Sequence, residues 1–144
     1  MPQDAIAIAN DHAGTELKRI LAAELAGRGI AVVDLGTDGS QSVDYPDYAK
    51  AMAEALADGR AGRGVLVCGT GIGIAMAANR YRHLRAAPVH DVSTARLARE
   101  HNDANVLALG ARFIGAELAK ECLAVFLDTP FGGGRHVGRV AKMS

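Results

Sequence analysis

The sequence predicts a single α/β domain over residues 1–144, built on a doubly wound parallel sheet with helices on both faces. Three observations carry this prediction. Short apolar runs alternate with segments of helical periodicity, no long linker or low-complexity stretch interrupts them, and 49% of the 144 residues are apolar. Strands that are apolar throughout are buried on both sides, as in parallel sheets covered by helices on each face.

The first half of the chain supplies two strands and two helices. The first strand is predicted at 5–9, and the helix after it ends near Gly27. One face of this helix is apolar at Leu17, Ile20, Leu21 and Leu25. The second strand is predicted at 30–35 and is followed by a loop. The second helix is predicted at 44–57, because Pro46 suits the first turn of a helix.

The second half repeats the pattern three times. The remaining strands are predicted at 64–68, 84–89 and 106–109. Their helices are predicted at about 71–80, 92–100 and 115–127. A tail, 129–144, opens with Pro130 and three consecutive glycines and ends in basic residues.

Composition excludes several classes of function. Lys plus Arg and Asp plus Glu each total 16, so no global field favours nucleic acid or an acidic membrane surface. The two cysteines, Cys68 and Cys122, form neither a disulfide framework nor a metal-ligand spacing. No signal peptide and no run of membrane-spanning length is found, which favours a reducing cytoplasm. No Ser-His-Asp order, strand-end carboxylate pair or metal cluster is found.

The most informative segment is a thiol followed by a glycine turn, Cys68-Gly69-Thr70-Gly71-Ile72-Gly73. The third strand brings the thiol to its carboxyl end, where ligands bind in such sheets. Glycines let a ligand approach the backbone, and free N–H groups at a helix start stabilise an anion or a thiolate. This pattern indicates a site where a proton is removed and the resulting negative charge is held.

Two further interpretations of this segment stay open. A lone strand cysteine is often a small buried hydrophobic residue. The glycine spacing also resembles a dinucleotide-binding turn, with Asp91 about 20 residues downstream, although Ile74 stands where that turn has Gly or Ala. A P-loop is excluded, since no Gly-Lys-Ser/Thr follows.

More polar residues are expected at the same edge of the sheet. Asp11-His12, His90-Asp91 and Gly110-Ala111-Arg112 each follow a predicted strand. Asp11 alone is also explained as a helix cap, and His83 and His90 are interpreted as structural. His101-Asn102 is the exception because it ends a helix, so a long loop or a second subunit is needed to bring it to this edge.

The tail carries a possible anion site. Arg135 and Arg139 fall on one face if the segment is helical, with His136 between them. Two guanidinium groups on one side suit a phosphate, which arginine binds with paired hydrogen bonds. A solvated basic tail is the competing interpretation.

Together these segments resemble the B-type ribose-5-phosphate isomerase family, which also includes isomerases of allose and galactose 6-phosphates. The resemblance spans nearly the whole chain. It rests on Asn10-Asp11-His12-Ala13-Gly14, Asp44-Tyr45-Pro46, Cys68 to Gly73, Ala77-Ala78-Asn79, Glu100-His101-Asn102-Asp103, Gly110-Ala111-Arg112 and Gly134-Arg135-His136-x-x-Arg139. It implies a Rossmann-like five-stranded parallel sheet and a homodimer or dimer of dimers whose active sites use both subunits.

The resemblance also implies roles. Cys68 is the base that moves the proton, and His101 assists ring opening with Asp11 nearby. Thr70 and the amides of Gly71, Ile72 and Gly73 hold the enediolate, with Asn102 adding a hydrogen bond. Some members use a glutamate six residues after the cysteine position, where this chain has Ile74. The phosphate is expected at His12, Arg112, Arg135 and Arg139, close to His136, and Tyr45 and Gly69 complete the substrate-binding set.

The expected function is a metal-free and cofactor-free isomerase that interconverts ribose 5-phosphate and ribulose 5-phosphate. Allose 6-phosphate or another hexose phosphate is a second candidate substrate, because loop 38–43 or the tail could decide substrate length. A nucleotide-binding module and an inactive paired subunit stay open as competing hypotheses. Small sugar phosphates and a second copy of the chain are the expected partners, without nucleic acid or membrane.

Overall fold

The computed structural model describes residues 4–144, which form five strands and six α-helices. In chain order they are β1 Ile6–Asn10, α1 Thr15–Gly27, β2 Val32–Asp34, α2 Tyr45–Ala57, β3 Arg63–Cys68, α3 Ile72–Ala78, β4 Ala86–Pro88, α4 Val92–Asn102, β5 Val106–Gly110, α5 Ala116–Asp128 and α6 His136–Met143. A short 3₁₀ turn, His12–Gly14, separates β1 from α1.

The sheet confirms the predicted doubly wound topology. Its strand order is β2-β1-β3-β5-β4, and every pair of neighbouring strands is parallel. β1 and β3 lie side by side inside the sheet, with Asn10 opposite Val67, and Cys68 lies opposite Gly110 of β5. The carboxyl ends of the central strands therefore meet at one edge of the sheet.

Helices cover both faces, because alternate strand residues point to opposite sides. On one face, Ile8, Val67 and Leu109 pack in a cluster with buried side chains of α1, α4 and α5. On the other face, Leu66 and Cys68 pack with α2 and α3. The Cys68 thiol therefore lies on the face of the sheet that α2 and α3 cover.

The edge elements are shorter than the sequence predicts. β2 covers Val32–Asp34 rather than 30–35, and β4 covers Ala86–Pro88 rather than 84–89. Each edge strand pairs with one neighbour only. Single backbone bonds, from Leu35 N to Ile8 O at 2.8 Å and from Val89 N to Ala108 O at 2.9 Å, continue the pairing one residue past each strand. α3 ends at Ala78 rather than near residue 80, because the Asn79 side chain bonds the backbone N and O of Ala86 at 2.8 and 2.9 Å.

The tail is not an extended segment. It includes α6, which packs against α4 and has no buried residue of its own. Gly132 N donates to Glu100 O at 3.0 Å and ties the start of the tail to α4. None of the helices within residues 4–144 is both long and apolar enough to cross a membrane.

Candidate active site

Three strand ends are joined by backbone hydrogen bonds at the carboxyl edge of the sheet. Asp11 N donates to Val67 O at 3.1 Å, and Ala111 N donates to Cys68 O at 2.8 Å. Arg112 N donates to Gly69 O at 3.0 Å. These bonds extend the strand pairing past the ends of the strands, so Asp11, Cys68 and Arg112 lie on adjoining segments.

The Cys68 thiol lies at the start of the glycine turn. The residue is 4% exposed, and Gly71 N donates to its Sγ at 3.2 Å. An N–H directed at sulfur stabilises a thiolate. The turn that aims this amide requires glycine at 71, where φ is +78° and a Cβ would lie 2.9 Å from the carbonyl carbon of Leu109.

The Thr70 hydroxyl is oriented by its neighbour. Ile72 N donates to Thr70 Oγ1 at 3.1 Å, so the oxygen accepts within the turn and its own proton is free to donate outward. Two amides expected at the enediolate, those of Gly71 and Ile72, are thus directed at Sγ and Oγ1 in this structure.

Two larger side chains approach the turn where glycine leaves space. A Cβ on Gly69 would lie 3.1 Å from a guanidinium nitrogen of Arg112, and a Cβ on Gly73 would lie 2.8 Å from the ring of Tyr45. Arg112 and Tyr45 therefore flank the turn that follows Cys68. Tyr45 begins α2 one residue after the predicted start at Asp44, and proline lies in the first turn as predicted.

Asp11 and His12 are held by local hydrogen bonds. Asp11 is buried and its Oδ1 accepts from Ala13 N at 3.0 Å, so the helix-cap interpretation is confirmed for one of its two oxygens. His12 is half-buried, and its Nδ1 accepts from Val43 N at 3.1 Å. The remaining ring nitrogen, Nε2, is therefore the one that can donate to a ligand.

A second group of predicted site residues lies where α4 meets α6. The rings of His101 and His136 stack with centroids 4.5 Å apart and planes 19° apart. Arg135 has helical backbone angles just before α6, so it and Arg139 lie four residues apart on one helical face, as predicted for a helical segment. Both arginines and Asn102 are exposed.

The charge around His136 is positive. Partial loss of hydration, followed by His101, Arg135 and Arg139, lowers the pKa of His136 below its ordinary value. The segment therefore favours the neutral imidazole at 136 while the two guanidinium groups supply the positive charge.

The group around the Cys68 turn and the group where α4 meets α6 lie at opposite edges of the sheet. α4 begins after the carboxyl end of β4 and ends before the amino end of β5, and its 11 residues span about 16 Å. No hydrogen bond or ring contact within residues 4–144 joins His101, Asn102 or α6 to the Cys68 turn. One chain therefore carries two separated parts of the predicted site.

Two residues near the site, His90 and Asn10, were not predicted as part of it. His90, interpreted as structural, lines a cavity of about 280 Å³ with Thr70, Ile72 and Phe113, and its ring meets Phe113 edge-on. His83 bonds Ala53 O and lies apart. Asn10 is fully buried and donates to Asp11 O, Thr15 Oγ1 and Thr37 O. A polar residue that ends an apolar strand was the available signal for Asn10.

The hydrogen bonds of Asp91 argue against the dinucleotide-binding interpretation. Its Oδ1 accepts from Thr94 N at 2.7 Å and caps α4, and these Thr94 bonds lower the pKa of Asp91. The carboxylate that a ribose would require is therefore engaged in a helix cap. Within the described chain, no group of three His, Cys, Asp or Glu side chains is placed to hold a metal ion.

Comparison with known proteins identifies relatives that agree with one another. The model of a family described as Ribose/Galactose Isomerase matches residues 6–143. Ribose-5-phosphate isomerase B of Escherichia coli is 46% identical over 139 residues, covering 96% of this chain and 93% of that protein. D-erythrulose-4-phosphate isomerase of Pectobacterium atrosepticum is 44% identical over 140 residues, covering 96% and 92%. The crystal structure of a ribose 5-phosphate isomerase from Thermotoga maritima matches with a TM-score of 0.94 and 52% identity, covering 96% of each chain.

Proposed function

Because this chain belongs to the ribose/galactose isomerase family and is an aldose–ketose isomerase of sugar phosphates, we propose that it interconverts D-ribose 5-phosphate and D-ribulose 5-phosphate. The observation that carries the proposal is the Cys68 sulfur, which accepts the Gly71 N–H at a strand end flanked by Arg112. Relatives named for ribose 5-phosphate support the five-carbon substrate.

The first step is opening of the furanose ring. His101 moves a proton between the anomeric hydroxyl and the ring oxygen, and the free carboxylate oxygen of Asp11 orients a sugar hydroxyl. This step gives the open-chain aldehyde, whose C2 proton is acidic enough to be removed by a positioned base.

The second step is proton transfer by Cys68. The thiolate takes the C2 proton, the C–H electrons form the C1–C2 double bond, and O1 becomes the negative oxygen of the enediolate. A proton then moves from O2 to O1, and the thiol returns its proton to C1 to give the ketose. A base placed in this way supplies about a hundred- to ten-thousandfold in rate.

The enediolate oxygens need donors that are already in position. The Thr70 oxygen accepts from Ile72 N, which leaves the hydroxyl proton to donate to a substrate oxygen, and the Gly73 amide lies in the same turn. Asn102 adds a side-chain donor. One oxyanion donor of this kind is worth roughly 3–4 kcal/mol in the transition state.

The phosphate binds at the far end of the substrate. His12 and Arg112 reach it from the carboxyl edge of one chain, and Arg135 and Arg139 reach it from a second copy, with His136 beside them. Binding energy from this remote group holds C1 and C2 over the thiol.

A homodimer with shared sites completes the arrangement. In one chain the Cys68 turn lies at one edge of the sheet, and His101 and α6 lie at the opposite edge. This separation supports a shared site, since one chain cannot close the site alone. Exposed apolar side chains beside both groups provide contact area for a second copy: Ile72 at 54%, Met76 at 63%, Phe113 at 70% and Val137 at 54% exposure.

A substrate panel tests the proposal. Purified protein is assayed with ribose 5-phosphate, allose 6-phosphate, galactose 6-phosphate and D-erythrulose 4-phosphate, in parallel with Cys68→Ala. We expect the largest kcat/KM on ribose 5-phosphate and at least a hundredfold loss in Cys68→Ala. A larger kcat/KM on another sugar overturns the substrate, and a folded Cys68→Ala with near-normal turnover overturns the base.

Cys122→Ala is the matched control. Cys122 is fully buried in the α5 core, and burial raises the pKa of its thiol to about 11. This variant should lose about 1 kcal/mol of stability through the small cavity it leaves, and its turnover should stay unchanged.

A further inference from the structure

Lys18 is a buried cation that the proposed chemistry does not use. It lies on α1 at 1% exposure, and its Nζ donates to Asp34 Oδ2 at 2.8 Å and to Asp38 Oδ1. Burial lowers the pKa of Lys18, but the hydrogen bonds and charges of the two aspartates outweigh burial and leave it raised. The ammonium therefore stays charged and holds both carboxylates.

This contact fixes a loop at the carboxyl edge of the sheet, residues 36–43. Asp38 belongs to the loop, and Asp34, at the end of β2, accepts from the loop amide of Gly36 at 2.9 Å. Two buried side chains bind loop carbonyls as well: Asn10 donates to Thr37 O at 3.0 Å and Thr15 donates to Gly39 O at 2.8 Å. The loop thus has a defined position although residues 39–42 are exposed.

The last residue of the loop contacts His12. Val43 N donates to His12 Nδ1 at 3.1 Å, so Nδ1 carries a lone pair and not a proton. A neutral imidazole has one N–H, and its position is set by the hydrogen bond at the opposite nitrogen. With Nδ1 accepting, the proton lies on Nε2.

We propose that Lys18 is a positioning residue: by anchoring loop 36–43 it holds the His12 imidazole in the tautomer protonated at Nε2. The consequence for catalysis rests on the proposed function, in which His12 binds the substrate phosphate. An Nε2–H donates to a phosphate oxygen, whereas the opposite tautomer presents a lone pair that repels it. Lys18 thereby acts on substrate binding without touching the substrate.

Nitrogen NMR of the free protein tests the tautomer directly. In protein labelled with ¹⁵N-histidine, two-bond correlations distinguish protonated from unprotonated ring nitrogens, and a His12→Asn variant assigns the His12 signals. We expect Nε2–H only in the wild type, and a mixture of both tautomers in Lys18→Met. Lys120→Met, on α5, is the matched control and should give the wild-type spectrum.

Lys18→Met is expected to fold, because the side chains of Asp34 and Asp38 are 42% and 70% exposed and remain hydrated. Asp38→Asn is a second variant that keeps the bond to Asp34 and should change the tautomer ratio in the same direction by less. A protonated Nδ1 in the wild type overturns the proposal. The proposal is also overturned if each of Lys18→Met and Asp38→Asn that folds shows the wild-type tautomer ratio.

Kinetics test the consequence. The loss of one oriented hydrogen bond should raise KM for ribose 5-phosphate about fivefold in Lys18→Met, with kcat within about twofold. A changed tautomer with an unchanged KM contradicts the link to binding. If the wild type shows no isomerase activity, the proposed function fails, while the NMR comparison still decides the role of Lys18.

Discussion

His136 stacks on His101, with ring centroids 4.5 Å apart and an angle of 19° between the planes. The contact joins the first residue of α6 to the last turn of α4, so a residue proposed to open the sugar ring rests on one beside the proposed phosphate site. Arg135 and Arg139 flank the stack, and together these groups lower the pKa of His136 after the effect of lost hydration.

This relationship predicts a pH dependence of stability. The native state binds a proton at His136 less readily than the unfolded chain does, so the stabilising contribution is present above the ordinary histidine pKa. It is lost as the pH falls through the lowered value in the native state. His136→Phe keeps a stacked ring without a titrating group, so its free energy of unfolding should fall less between about pH 7 and 5.

Urea titrations across this range measure the difference. His83→Phe is the control, because His83 lies apart from the stack and from α6. A slope in His136→Phe as steep as in the wild type would show that His136 does not contribute this dependence.

The arginines proposed to bind the phosphate should affect binding more than turnover. Arg112→Ala, Arg135→Ala and Arg139→Ala each remove a charge-assisted contact, so each should raise KM about ten- to hundredfold. Steady-state kinetics with ribose 5-phosphate measure the effect. Arg60→Ala, which removes an exposed pair with Asp58, is the control. An unchanged KM in any of the three removes that arginine from the phosphate site.

The glycine turn should be sensitive to a single methyl group. Gly71→Ala places a Cβ in backbone of φ +78° and 2.9 Å from Leu109, so it should cost at least about 1–3 kcal/mol of stability. Gly27→Ala is the control, since a Cβ there meets nothing within 4 Å and it ends α1. That control should be neutral or slightly stabilising. Equal urea midpoints for the two variants would contradict this account of the turn.

Much of this arrangement could be predicted from the sequence, for a physical reason. The carboxyl ends of parallel strands share an edge, so apolar runs followed by Asp11, Cys68 and Arg112 place those residues together without further information. The stacking of His136 on His101 could not be predicted in the same way. It depends on how a short glycine-led helix packs back on α4.

The burial of Lys18 is a second feature that could not be predicted from the sequence. A lysine between Leu17 and Leu21 has the sequence pattern of an ordinary helix residue, because a long side chain normally extends to solvent. Its burial depends on two aspartates of one segment, Asp34 at the end of β2 and Asp38 in the loop after it, and the contact of Lys18 with both follows only from the folded chain. The short lengths of the edge strands β2 and β4 could not be predicted for the same reason, since the length of a strand depends on pairing with its neighbour.

The proposal that each active site combines the Cys68 turn of one subunit with His101 of another is tested most directly by complementation. Cys68→Ala and His101→Ala, each expected to be inactive as a homodimer, are coexpressed with different tags, and the mixed dimers are purified through both tags. One site of a mixed dimer then carries both lesions and the second site carries neither. We expect about half of the wild-type activity per dimer. Mixed dimers as inactive as the two parents would contradict the shared site.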